Sequence, residues 1–146
     1  MRGSATGGEV KSEQRGFMMS KHFGNDLDKL TEQIIGCAMR IHKLLGPGFP
    51  EYTYENVLSD ELRKSRLSIS DQTTVKINYD GIEVGNQRAD MIVEDAVVVE
   101  LKNAEAIEAL YERQMQSYLN VSGKSTGLIL NFGKDTLEVK KMVNKQ

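Results

Sequence analysis

The stretch Arg88-Ala89-Asp90-Met91-Ile92-Val93-Glu94-Asp95-Ala96-Val97-Val98-Val99-Glu100-Leu101-Lys102 decides how the chain is read. Two arms of branched apolar residues flank Glu94-Asp95-Ala96, which predicts two short strands joined by a tight turn. A three-residue loop sets Val93 against Val97, Met91 against Val99 and Asp90 against Glu100. Side chains alternate across a strand, so Asp90, Glu100 and Lys102 share one face. Met91, Val93, Val97, Val99 and Leu101 share the other, which is a core face. Two carboxylates side by side repel each other unless a cation joins them or one keeps a proton. Lys102 adds a positive charge beside the pair. This set suits a hard divalent cation with oxygen ligands, plus an electrostatic or acid/base helper. The pattern alone favours a solvated strand face with a weak surface salt bridge, because E-x-K arises by chance in any charged strand. A register slip of one residue would also part Asp90 from Glu100.

The rest of the chain bounds the choice. Its 146 residues suit one domain with one core. At 39% hydrophobic and 27% charged residues it has the composition of a globular chain rather than a disordered one. No apolar run is long enough to span a membrane, and Phe17-Met18-Met19 is too short for a secretory signal. The lone Cys37 can form no internal disulfide and reads as a small core residue in a reducing, cytoplasmic setting. His22 and His42 are isolated, and no Cys/His set has zinc spacing. A net charge of −2 argues against non-specific coating of nucleic acid. It leaves room for a local basic strip, such as Arg63, Lys64 and Arg66, or Lys134, Lys140, Lys141 and Lys145.

In chain order, residues 1–24 open with MRGSATGG, lack hydrophobic periodicity and resemble a leader left by recombinant expression. They are expected to be mobile, with a single domain over 25–146. Asn25-Asp26 predicts a helix start, and Leu27, Leu30, Ile34, Ile35, Ala38, Ile41, Leu44 and Leu45 follow at helical spacing. Gly46-Pro47-Gly48 ends that helix. A second helix is expected from Pro50 to Ser65, with Tyr54, Val57, Leu58 and Leu62 buried. Glu51 in its first turn reads by position as a charge favoured by the helix dipole. From Leu67 the period becomes two. Leu67, Ile69, Val75, Ile77 and Tyr79 lead to the turn Asp80-Gly81. Ile82 and Val84 begin the return strand, which Gly85-Asn86 breaks before the 88–102 hairpin. A third helix is expected over Glu105–Val121, then strands at Gly127–Asn131 and Thr136–Met142. The order is α, α, β, β, β, β, α, β, β, an α/β fold with a mixed sheet flanked by helices.

The third helix adds polar groups to an apolar stripe. Ile107, Tyr111, Gln114 and Tyr118 recur at helical spacing beside Leu110. A buried Gln and a buried Tyr each need hydrogen-bond partners. They read either as a bonded core pair or as a pair aimed at a phosphate or a water.

Four motifs together resemble a GxxExxY-type protein of the PD-(D/E)XK nuclease superfamily. Leu30-Thr31-Glu32-Gln33-Ile34-Ile35-Gly36 is similar to the opening helix, and Gly48-Phe49-Pro50-Glu51-Tyr52-Thr53-Tyr54 to the naming signature. Arg88-Ala89-Asp90 with Val99-Glu100-Leu101-Lys102 resembles the D…ExK centre, and Gln114-Met115-Gln116-Ser117-Tyr118-Leu119 the QxxxY helix. The likeness runs over about residues 27–142. Asn103, where relatives often carry a small residue or Thr, departs from it.

The resemblance implies a restriction-endonuclease-like core and a metal-dependent nuclease. Asp90, Glu100 and the main-chain carbonyl of Leu101 would bind Mg²⁺ or Mn²⁺. Glu51 would be a further ligand or water anchor in the same pocket. Lys102 would position or deprotonate the attacking water, and Gln114 and Tyr118 would hold the phosphate or steady Lys102. Glu32 reads equally as a solvated helix residue. DNA is the expected substrate ahead of RNA, and a homodimer would supply surface that so small a domain lacks. Two other readings stand beside this one: a catalytically silent nuclease-like module that binds nucleic acid or protein, and a hydrolase of a small phosphoester or nucleotide. No P-loop, cysteine nucleophile or serine triad is present.

Overall fold

The computed structural model describes the backbone of residues 12–144 and side chains from residue 26 onward. Residues 1–11, the first half of the expected leader, lie outside the described residues, as do 145–146. The described elements run α1 (Ser12–Leu45), α2 (Glu51–Lys64), β1 (Ile69–Tyr79), β2 (Ile82–Val93), β3 (Val97–Lys102), α3 (Ala109–Ser122), β4 (Thr126–Asn131) and β5 (Glu138–Val143). The chain divides into two units, 1–30 and 31–146, and the sheet lies wholly in the second.

The sheet has five strands in the order β1-β2-β3-β4-β5. Only β3 and β4 are parallel to each other; the remaining neighbours are antiparallel. The parallel step needs a crossover, which α3 provides. The sheet is therefore mixed, as expected.

Three expectations need correction. Helix α3 starts at Ala109 rather than Glu105, so Ile107 lies before the helix and not on its stripe. Helix α1 starts at Ser12, well before Asn25-Asp26, so polar residues there continue the helix rather than begin it. Among the described residues there are three strands before α3, not four. Gly85-Asn86 does not interrupt β2, because Gly85 pairs with Ile77 and Asn86 with Lys76. The irregularity falls on the other strand, between Ile77 and Asn78. The Ile77 side chain reaches across Gly85, covering the position where the glycine has none. Cross-strand pairing thus overrides the local weakness of a Gly-Asn step.

The 88–102 hairpin forms in the expected register, with Val93 opposite Val97, Ile92 opposite Val98 and Met91 opposite Val99. Glu94 and Asp95 take positive φ in the turn, 55° and 53°. Alternation then sorts the strands into two core faces. Met91, Val93, Val97, Val99 and Leu101 are all buried, and Leu128 and Leu130 of β4 continue their face. Helix α2 packs on β3 and β1. On the opposite face Ile92, Val98 and Ile129 pack with Met115, Tyr118 and Leu119 of α3. Gly127 makes this closeness feasible: a Cβ there would collide with the Met115 thioether.

The loop into α2 is held by one side chain. Gly48 adopts φ +113°, a conformation that favours glycine. Tyr54 is fully buried, donates its hydroxyl to the Gly46 carbonyl and accepts from the Phe49 amide at 3.2 Å. Its ring stacks on Phe132 at 4.4 Å between centroids. Tyr54→Phe keeps the stacking and leaves both backbone groups without that partner. It should lower unfolding stability by about 1–3 kcal/mol in urea denaturation. An unchanged midpoint would show that the hydroxyl does not hold the loop.

Candidate functional site

The hairpin ladder gives way to side chains at the point where the two acids stand. Beyond Met91 and Val99, the Leu101 amide donates to Asp90 Oδ2 at 2.8 Å. The Asp90 amide donates to Glu100 Oε2 at 3.2 Å. Each carboxylate therefore binds a main-chain donor from the opposite strand, which fixes both groups and places them together. The tight turn and the strand alternation bring this about locally; no distant element is needed to align them.

Above the pair, α3 lies across the sheet and leaves a cleft of about 300 Å³. Asp90, Glu100 and Lys102 line it from the strands, and Tyr111, Gln114 and Tyr118 from α3. Gln87 and Arg88 of β2 complete the lining on the hairpin side. Gln87 Nε2 donates to the Gln114 carbonyl at 2.8 Å and so ties α3 to β2 across the cleft.

The charges in the cleft are strained by burial. Glu100 is half-buried, and its pKa is pushed up to about 8, first by desolvation and then by the charge of Asp90. Asp90 is also raised, mainly by desolvation, with the Leu101 amide, Lys102 and Arg88 pulling the other way. Burial raises the Tyr118 phenol, and the charge of Glu100 adds to that. The Lys102 ammonium sits 4.5 Å from the centre of the Tyr111 ring.

Of the expected site residues, Asp90, Glu100, Lys102, Gln114 and Tyr118 line one cleft; the Leu101 side chain is buried away from it, with its amide on Asp90, and Glu51 stands apart. Glu51 is exposed at the start of α2 and is not part of the cleft lining; its Oε2 accepts the Asn103 amide at 3.2 Å. It is close enough for its charge to raise the pKa of Glu100, as the smallest of the contributions. Among the described residues, no three His, Cys, Asp or Glu side chains converge where a metal ion could sit. The three-acid cluster expected from the sequence reduces here to two facing acids with a third at the rim.

Gln114 also differs from expectation. It is exposed, and the buried stripe of α3 is Met115, Tyr118 and Leu119. Tyr118 is buried, its hydroxyl 3.5 Å from the Thr73 carbonyl. Glu32 is exposed on α1. Sequence reasoning placed Tyr111 on the right helical face and gave it no role. It also overlooked Asn131, which is fully buried and bonds both the amide and the carbonyl of Ala104. Asn131 and Glu138 thereby hold the loop that leads from Lys102 to α3, since Glu138 also accepts from the Ile107 amide at 3.1 Å. A polar residue at the end of an apolar strand was the available signal.

The donor set fits a hard divalent cation on its chemistry. Two carboxyl groups in a partly dehydrated cleft would repel each other once both are ionised, and a cation with oxygen preference would relieve that repulsion.

Comparison with known proteins identifies the family through one family model. The model of the PD-(D/E)XK nuclease superfamily matches residues 28–143. No curated protein sequence matches the chain. Among solved structures, an alkaline exonuclease from Laribacter hongkongensis aligns at TM-score 0.44 and 11% identity, over 60% of this chain and 52% of its own. A protein named SSO0001 aligns at TM-score 0.42 and 19% identity, over 65% of this chain and 55% of its own. The chain spans about half the length of these two structures.

The raised pKa of Glu100 has a consequence for stability. Its folded value, about 8, lies above the ordinary 4.5, so the folded state binds the proton more tightly than the unfolded one. Ionising it therefore destabilises the fold progressively as pH climbs between those values. In metal-free protein Glu100→Gln should melt higher than the parent at pH 9, by roughly 3 °C or more, and the gap should close toward pH 5. A gap of constant size across that range in a melting series would contradict this account of Glu100.

Proposed function

The chain belongs to the PD-(D/E)XK nuclease superfamily, and from that premise we propose that it is a metal-dependent phosphodiesterase acting on nucleic acid, on DNA in preference to RNA. The observation that carries this reading is the cleft in which Asp90 and Glu100 face each other with Lys102, Gln114 and Tyr118 around them.

In this proposal Asp90 and Glu100, with the Leu101 carbonyl, would hold Mg²⁺ or Mn²⁺. Such an ion supplies Lewis acidity, neutralising phosphate charge and lowering the pKa of water. The chain's own groups do the remaining work. Lys102 orients the attacking water and places a fixed positive charge where the phosphate gains negative charge during in-line displacement. The Gln114 amide is a donor on the α3 side of the cleft, suited to a non-bridging phosphate oxygen, and the Tyr118 phenol would join it by turning its proton away from the Thr73 carbonyl. Arg88 lies at the exposed end of the lining and suits the next phosphate along the strand. Glu51 acts from the rim as an anchor for water rather than as an inner ligand, since Asn103 already engages one of its oxygens.

Purified protein should cut single- or double-stranded DNA when Mg²⁺ or Mn²⁺ is added and lose that activity in chelator. Glu100→Ala and Lys102→Ala should each reduce cleavage by about 100-fold or more, with Gln114→Ala milder. Retained DNA binding with no cleavage under any metal would favour a silent binding module.

A second expectation concerns pH. A carboxylate must lose its proton to ligate, and Glu100 holds its proton up to about pH 8. Mg²⁺ affinity should therefore rise by about tenfold per pH unit between pH 6 and 8 and level off above. Calorimetric titrations at three pH values would test it; affinity independent of pH would place the ion elsewhere.

A further inference from the structure

Five lysines of the described surface pair with acids: Lys64 with Asp60, Lys76 with Glu83, Lys124 with Asp95, Lys134 with Glu138 and Lys140 with Glu112. Lys102 does otherwise. Two carboxylates line the same cleft, yet its ammonium rests on the face of the Tyr111 ring, 4.5 Å from the centroid. We propose that Tyr111 is a positioning residue, whose ring holds the Lys102 ammonium beside Asp90 and Glu100 without letting it pair with them. The inference rests on the proposed nuclease reading only for what Lys102 does next.

Both partners are held from behind, which makes the contact a built one. The Lys102 backbone is anchored in the parallel ladder opposite Asn131, and its carbonyl accepts the Phe132 amide at 2.8 Å. Tyr111 sits in the first turn of α3, where its amide bonds to the Glu108 carbonyl at 3.0 Å. Tyr111 is partly buried and packs against the apolar cluster that α3 forms with the sheet.

The choice of a ring over a carboxylate matters chemically. An aromatic face attracts a cation through its quadrupole and carries no net charge. A carboxylate would bind the ammonium more strongly, and that ion pair would have two costs. It would use up the oxygens that a divalent cation needs, and it would have to break before the ammonium could meet a phosphate. A lysine also has a long, freely rotating stem, so without the ring its ammonium would spread over many positions. Tyr111 restricts that spread while leaving the charge uncancelled and able to move onto an incoming anion.

The test compares Tyr111→Phe, which keeps the ring, with Tyr111→Leu, which keeps apolar bulk and removes it. In metal-free wild-type protein, protons of the Lys102 ε-methylene should resonate upfield of those of exposed lysines, because they lie over an aromatic face. The shift should persist in Tyr111→Phe and vanish in Tyr111→Leu. Mg²⁺ alone, titrated by calorimetry without nucleic acid, should bind Tyr111→Leu several-fold more weakly, about fivefold, because Lys102 then competes for Asp90 and Glu100. In cleavage assays kcat should fall by about tenfold in Tyr111→Leu and be restored in Tyr111→Phe, with KM less affected. Wild-type Lys102 resonances at ordinary positions would overturn the proposal, even if the leucine variant failed to fold. Equal Mg²⁺ affinity in the phenylalanine and leucine variants would overturn it as well. If wild-type protein cut nothing, the nuclease reading would fail, and the resonance and Mg²⁺ results would still decide the role of Tyr111.

Discussion

The structure depends on a reciprocal exchange at the open end of one hairpin. Asp90 accepts an amide from β3, and Glu100 accepts one from β2. Two acids that would repel each other in water are thereby fixed on adjacent strands, with α3 over them and little water to spread their charge. Burial and the charge of Asp90 push the pKa of Glu100 up to about 8. The cost is borne by the apolar packing around it, where Val98, Ile129, Met115 and Leu119 close one face and Met91, Val99 and Leu101 the other. Stability and reactivity are thus opposed at Glu100: the protonated carboxyl suits the fold, and the ionised one suits a cation.

Helix α3 does more than cover the sheet. It is the crossover that the parallel β3–β4 pair requires, so its position above the end of β3 follows from the topology. That position brings Tyr111, Gln114 and Tyr118 over Asp90, Glu100 and Lys102. The connection between β3 and α3 is itself held, by Asn131 and Glu138, at the point where the chain leaves Lys102. Gly127 permits the close seat of Met115. The cleft therefore has a rigid floor and a roof tied down at several places.

Much of the fold was legible locally. The apolar alternation of Met91 to Leu101 and the turn at Glu94-Asp95-Ala96 gave the correct register, because a pleated strand permits only one assignment that buries both arms. The ends of α2 and α3 were marked within a few residues by Pro50 and Gly123. The error at Gly85-Asn86 came from reading a weak step in isolation, where its partner Ile77 decides the matter. Gln114 was misjudged for a related reason: a helical stripe through positions 107, 111, 114 and 118 is broad, and only the sheet beneath selects Met115 and Leu119 as its buried edge.

What the sequence determined by itself is the hairpin, its two faces and the adjacency of Asp90 and Glu100, since these follow from backbone stereochemistry over a few residues. The tertiary structure alone decided three other matters. Glu51 bonds to Asn103 at the rim rather than joining the two acids, Lys102 rests on Tyr111, and Glu100 holds its proton near neutrality. Each of these depends on how far apart distant segments come to rest and how much water lies between them, and no local pattern encodes either quantity.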